Sequence, residues 1–97
     1  MIRRDNDRLV VSGPATLAGA AELLRAGSDA VRAGARSVDL AEVAELDSSL
    51  VAILLAWKRA ARAAGAELRI VNAPQALRTI AELYGVADLL GAESAAG

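Results

Sequence analysis

Between Ser37 and Trp57 the chain reads SVDLAEVAELDSSLVAILLAW. A short apolar strand, Val38 to Leu40, leads through a loop and an Asp47-Ser48-Ser49 turn into a strongly apolar helix running from about Ser48 to Ala64. This order constrains the fold more than any other stretch. A strand that feeds a helix is half of a βαβ unit, whose next strand lies parallel to the first after a right-handed crossover. The same stretch sets two hydroxyls at a helix N-terminus. The first N–H groups there lack intrahelical partners and carry partial positive charge, so they favour a capping oxygen, a phosphate or a polar partner group.

The rest of the chain repeats the alternation. Ile2 to Arg4 and Arg8 to Ser12 read as two strands joined at Asn6-Asp7, the second ending at Gly13-Pro14. Thr16 is placed to cap a helix with Leu17, Ala20, Ala21, Leu24 and Val31 on its apolar side, while Glu22, Arg25, Asp29 and Arg32 point elsewhere and Gly34 ends it. Leu68 to Val71 reads as a strand after Gly65. Asn72-Ala73-Pro74 then opens a helix with the stripe Leu77, Ile80, Ala81 and Tyr84, and Val86, Leu89 and Leu90 fold back as a final short turn or helix. An α/β domain with a mostly parallel sheet follows, edged by an antiparallel hairpin. It spans residues 1–91 as one unit, and residues 92–97 read as a frayed tail.

Composition removes whole classes of function. Among 97 residues there is no Cys and no His, so disulfides, thiolate catalysis, thiolate zinc sites and the commonest general base are all missing. With 11 Lys+Arg against 12 Asp+Glu, the net charge of -1 gives no long-range attraction for nucleic acid or anionic lipid. No apolar run reaches the roughly 18 residues of a membrane span, so direct membrane insertion is not expected. The only lysine, Lys58, lies mid-helix, away from any phosphate-cradling glycine loop. Asp39, Glu42, Glu45 and Asp47 are close in sequence but lack ordered ligand spacing, and read as loop solvation and capping rather than a metal site. The expectation is a protein that is not an enzyme, with no cofactor and no metal.

On the helix that starts at Ser48, Leu50, Ile53, Leu54, Trp57, Ala61 and Ala64 should face the sheet. The opposite side collects Ser48, Val51, Ala52, Leu55, Arg59 and Arg62. That side reads as a docking stripe, with Val51 and Leu55 as apolar contacts, the two arginines as rim charges, and Asp47 and Ser48 at its head. Trp57 and Tyr84 read as core fillers whose polar tips reach the surface, and Tyr84 is placed near the partner. Ser49, one residue into the helix, is the candidate for phosphorylation. A phosphate there would add about two negative charges beside the apolar face and switch docking off.

The segments VDLAEVAELDSSLVAILLAW and AAGAELRIVNAP resemble the STAS domain, the anti-sigma factor antagonist-like fold, in which an Asp-Ser-x-Gly turn opens the second helix. Leu54-Leu55-Ala56-Trp57, Asn72-Ala73-Pro74 and Ala81-Glu82-Leu83-Tyr84-Gly85-Val86 are similar to its MlaB-like members, cytoplasmic STAS subunits of Mla-type ABC transporters that maintain outer-membrane lipid asymmetry. The resemblance implies a sheet of about four strands with three to four helices. It also implies a contact between the hydroxyl after Asp47, Ser48, and the ABC transporter ATPase subunit (MlaF-like), with the permease reached indirectly and the inner membrane only peripherally. In antagonist-type STAS proteins the next serine, Ser49 here, is phosphorylated, and the partner is an anti-sigma factor kinase. Leu50 stands where that motif has glycine. Both hydroxyls are present, and the motif leaves the two partners open.

Overall fold

The computed structural model describes residues 1–91, and the expected frayed tail at 92–97 lies outside them. Strands β1 (Ile2–Asp5) and β2 (Arg8–Ala15) form an antiparallel hairpin in which Ile2 faces Val11 and Arg4 faces Leu9. The turn needs a left-handed residue, and Asn6 supplies it at φ 58°. Strand β3 (Ser37–Leu46) runs parallel to β2, and β4 (Arg69–Val71) runs parallel to β3. The sheet order is therefore β1-β2-β3-β4. Successive right-handed crossovers in one direction place their helices on one face of the sheet, the face that buries Leu9, Val11, Val38, Leu40 and Ile70.

Two strands are longer than their sequences suggest. Strand β2 continues through Gly13 and Pro14 to Ala15, with register shifts against β3 between Val10 and Ser12 and again between Gly13 and Pro14. Proline, which has no N–H to give, is tolerated at such an irregularity, beyond the end of the pairing with β1. Residues 41–46, expected as a loop, continue β3 because this tip of β2 pairs with them. The two tips carry the chain past β1 and β4 and deliver Asp47 beyond the sheet's end.

On the sheet's other face, Arg3 makes a two-pronged pair with Glu42 at 3.1 and 2.9 Å. Asp39 is buried beside it, accepting from the Ala41 N–H at 2.9 Å, the Asn72 amide at 3.0 Å and Arg8 at 3.4 Å. Burial raises the Asp39 pKa, but these hydrogen bonds and the nearby arginines outweigh it and hold the group below its ordinary value. Asp39 and Glu42 are thus sheet residues in ion pairs rather than loop solvation. Among the described residues no group of three acidic side chains is placed to hold a metal.

A single 3-10 turn (Leu17–Gly19) leads into α1 (Ala20–Arg32), followed by α2 (Ser48–Ala63), α3 (Gln75–Leu83) and α4 (Ala87–Leu90). Helix α1 buries Leu23, Gly27 and Val31; of the expected stripe Val31 is core, but Leu17, Ala21 and Leu24 are exposed. The cause is Gly27. A Cβ there would lie 2.0 Å from Trp57 Cζ2, so α1 meets α2 at a glycine, and the i, i+4 face containing that glycine is the buried one. Leu24 is left on the shoulder, where its carbonyl accepts from Trp57 Nε1 at 3.0 Å. Trp57 is completely buried with its indole N–H inside, so its polar tip does not reach the surface. On the outer side of α1, where these charged residues were expected, Arg25 pairs with Glu22 and Asp29, and Arg32 pairs with Asp29.

Helix α2 buries Leu50, Val51, Ile53, Leu54, Trp57 and Ala61, while Ala64 is exposed. Val51, expected on the docking stripe, is only 4% exposed and belongs to the core. A helix on a bare sheet would leave that side open. Here α3 and α4 also pack on α2 and widen its buried arc. On α3, Leu77 and Ala81 are buried, but Tyr84 at its C-cap is 61% exposed and fills no core space.

Candidate docking site

Asp47 caps α2 in extended backbone conformation, and its Oδ1 accepts the Ser49 N–H at 2.9 Å and the Ser49 hydroxyl. Its second oxygen, Oδ2, accepts the Leu17 N–H at 3.0 Å. The hydrogen bond from the Ser49 hydroxyl, then the Leu17 and Ser49 N–H groups, lower the Asp47 pKa and keep the group charged. One carboxylate thus caps α2 and also ties down the turn before α1. Thr16, expected to cap there, makes no side-chain cap bond.

Ser48, the first residue of α2, is exposed. Ser49 is half-buried, and its hydroxyl donates to Asp47 rather than pointing freely to solvent. From this end a groove runs between α1 and α2. One wall carries Leu17, Ala20, Ala21 and Leu24, and the other carries Ser49, Ala52, Ile53 and Ala56, with Arg59 at the far end. Leu17 is 74% exposed and Leu24 38%. Large apolar side chains over an alanine floor, beside a polar helix terminus, suit close docking of a protein partner.

The residues expected on one stripe are divided among three places. At about 100° per residue, Ser49, Ala52, Ile53 and Ala56 fall on the α1 flank of α2, and Leu55, Lys58 and Arg62 fall on the other, with Arg59 between them. The groove takes Ala52 and Arg59, with Asp47 at its head through its bonds to Leu17 and Ser49. Ser48 is exposed next to that cap but outside the lining, and Arg59 also borders the hollow on the other flank. Leu55 and Arg62 line a separate hollow with Lys58, Glu67, Leu68 and Leu89 of α4. Burial lowers the Lys58 pKa there, with Arg62 acting in the same direction and Glu67 opposing. Val51 is core, and Tyr84 lies on α3, outside the groove's lining.

Of the expected stripe on α1, Val31 is core and Ala20 packs partly against it, but sequence reasoning missed Leu17, Ala21 and Leu24 as surface. Val31 is shared with a second row, Leu23-Gly27-Val31, and that row takes the core. A glycine four residues from two aliphatics was the available signal, since it marks where another large side chain approaches.

The family model described as MlaB, STAS domain matches residues 2–91. The chain belongs to the STAS domain family, in its MlaB-like branch. STAS domains mediate protein–protein interactions in regulatory or accessory roles. Solved structures share the fold. A Thermotoga maritima protein described as a candidate anti-sigma factor antagonist superposes with a TM-score of 0.74 at 11% identity, covering 97% of this chain and 85% of that one. The unphosphorylated anti-sigma factor antagonist SpoIIAA gives 0.67 at 17% identity over 91% and 82% of the two chains. The phosphorylated form of SpoIIAA, from Bacillus, gives 0.65 at 17% identity, over 91% and 85%. No curated protein matches by sequence. Among the described residues no helix is long and apolar enough to cross a membrane.

Proposed function

We propose that this STAS domain is a non-catalytic accessory subunit that docks on the ATPase subunit (MlaF-like) of an Mla-type ABC transporter, in support of phospholipid transport and outer-membrane lipid asymmetry. It acts in the cytoplasm and reaches the permease and the inner membrane through that complex. The observation that carries this reading is the α1–α2 groove, where Leu17 and Leu24 stand exposed over alanines beside Ser49 and its Asp47 cap. The match to the MlaB-like family model supports the choice of partner.

The rival partner is an anti-sigma factor kinase that phosphorylates Ser49. The Ser49 hydroxyl is already bonded to Asp47, and Leu50, in the glycine position of the antagonist motif, is fully buried. Both features favour a fixed docking surface over a helix start opened to a kinase. Co-expression with the transporter ATPase from the same organism should yield a stable complex that Ser48→Arg or Ala52→Arg weakens at unchanged folding. A normal complex with both variants would remove the groove from the interface. Incubation with the cognate kinase and ATP, read by intact mass, should leave Ser49 unmodified, and a phosphate found there would shift the reading to the antagonist.

A further inference from the structure

We propose that Asp47 is a positioning residue that sets one wall of the groove by holding the Leu17 turn, in addition to capping α2. The proposal rests on the reading of the groove as a docking surface. Its geometric basis is the division of labour between the two carboxylate oxygens. Oδ1 serves α2 alone, through the Ser49 N–H and hydroxyl, and Oδ2 serves the Leu17 N–H alone.

The Leu17 N–H belongs to the first residue of the 3-10 turn, where no earlier helical carbonyl is available to it. Thr16 makes no cap bond, so Oδ2 is the acceptor that fixes the start of that turn. Leu17 itself is 74% exposed and buries little that would hold it in place. Its position on the groove wall therefore depends on a bond arriving from another element, 30 residues away in sequence. Through one ionised side chain, the residue at the head of α2 controls the apolar wall opposite it.

The two duties can be separated by Asp47→Asn. Asparagine caps helices about as well as aspartate, and with its oxygen kept toward Ser49 both α2 bonds survive. Its NH₂ then faces the Leu17 N–H, donor against donor, and the tether is lost. Turning the amide over would sacrifice the Ser49 N–H bond to regain one bond to Leu17, so the first orientation prevails. Leu17→Ala provides the companion variant, since it removes the Leu17 side chain from the wall and keeps the tether.

The experiment measures amide hydrogen exchange of the free protein, and affinity for the purified transporter ATPase, for the parent, Asp47→Asn, Leu17→Ala and the double variant. Asp47→Asn should keep the exchange protection of α2 while the Leu17 amide exchanges about tenfold faster. Affinity should fall about fivefold, and the double variant should bind no more weakly than Leu17→Ala alone, because both changes act on the same Leu17 contact. Unchanged Leu17 exchange would overturn the tether. Faster exchange with unchanged affinity would overturn the positioning role, and additive losses in the double variant would replace it with direct contact between Asp47 and the partner. If Leu17→Ala and Ala52→Arg both leave binding intact, the docking reading fails separately, with the exchange result standing as the measure of the tether.

Discussion

The two flanks of α2 begin from the same kind of sequence and end in different states. On the α1 side Gly27 admits the indole of Trp57 in close contact, and beside it a groove is lined by Ala20, Ala21, Ala52 and Ala56. On the α3–α4 side the neighbours close over Val51 and leave a hollow only lower down, among Leu55, Lys58 and Arg62. A large residue facing a glycine locks one stretch, while small residues facing each other leave a groove. An aliphatic side chain on this helix is therefore core or surface according to its neighbour's residue size, not its own hydrophobicity.

The Gly27–Trp57 contact is where substitution should cost most. Trp57→Ala should destabilise by about 4 kcal/mol, since it empties a fully buried indole site and removes the indole's hydrogen bond to the Leu24 carbonyl. Gly27→Ala should cost about 2 to 3 kcal/mol, because its methyl enters the space of the Trp57 ring and overpacks the site. Urea denaturation of both variants checks this. A Gly27→Ala protein as stable as the parent would mean that α1 does not meet α2 at this glycine.

Next in size is the contrast between adjacent residues. Val51→Ala should cost about 1 to 2 kcal/mol, as removal of core methyl groups does. Ala52→Arg, one residue along and exposed, should change stability by no more than about 0.5 kcal/mol. Thermal unfolding of the pair separates them, and equal effects would erase the distinction between the flanks.

Much of this arrangement was legible in sequence. The order of strands and helices, the Asn6 turn, the cap at Asp47 and the charged outer side of α1 follow from local patterns that depend on residues a few positions apart. The missed features each depend on a partner distant in the chain. Residues 41–46 look like loop until the tip of β2 pairs with them. Leu24 looks like core until Gly27 rotates α1, Val51 looks like surface until α3 and α4 arrive, and Tyr84 looks like a core filler although Leu77 and Ala81 already complete that face. Of the groove, the Asp47 cap at its head and the Ala52 and Arg59 positions of one wall were among the residues expected to dock, while Ser48 lies outside the lining. The opposite wall was not readable, because periodicity cannot say which of two apolar stripes on α1 the sheet will take.

A further effect, comparable to the loss of a single hydrogen bond, lies outside both flanks. Asp39, with its pKa depressed in the folded protein, contributes stability above its unfolded value of about 3.9 that is lost as the pH falls through the lower folded value. Asp39→Asn should cost about 1 kcal/mol at neutral pH and flatten the acid limb of the stability profile, with the groove's binding untouched. A profile as steep as the parent's would assign the acid limb to other carboxylates.

The central claim is that the α1 flank of α2, and not the α4 flank, is the docking face. Titration calorimetry of the transporter ATPase against Ala52→Arg and Arg62→Glu tests it directly, since both residues are exposed and lie on opposite flanks. The account predicts that Ala52→Arg abolishes measurable binding while Arg62→Glu binds within a few-fold of the parent. Retained binding by Ala52→Arg with loss in Arg62→Glu would contradict it.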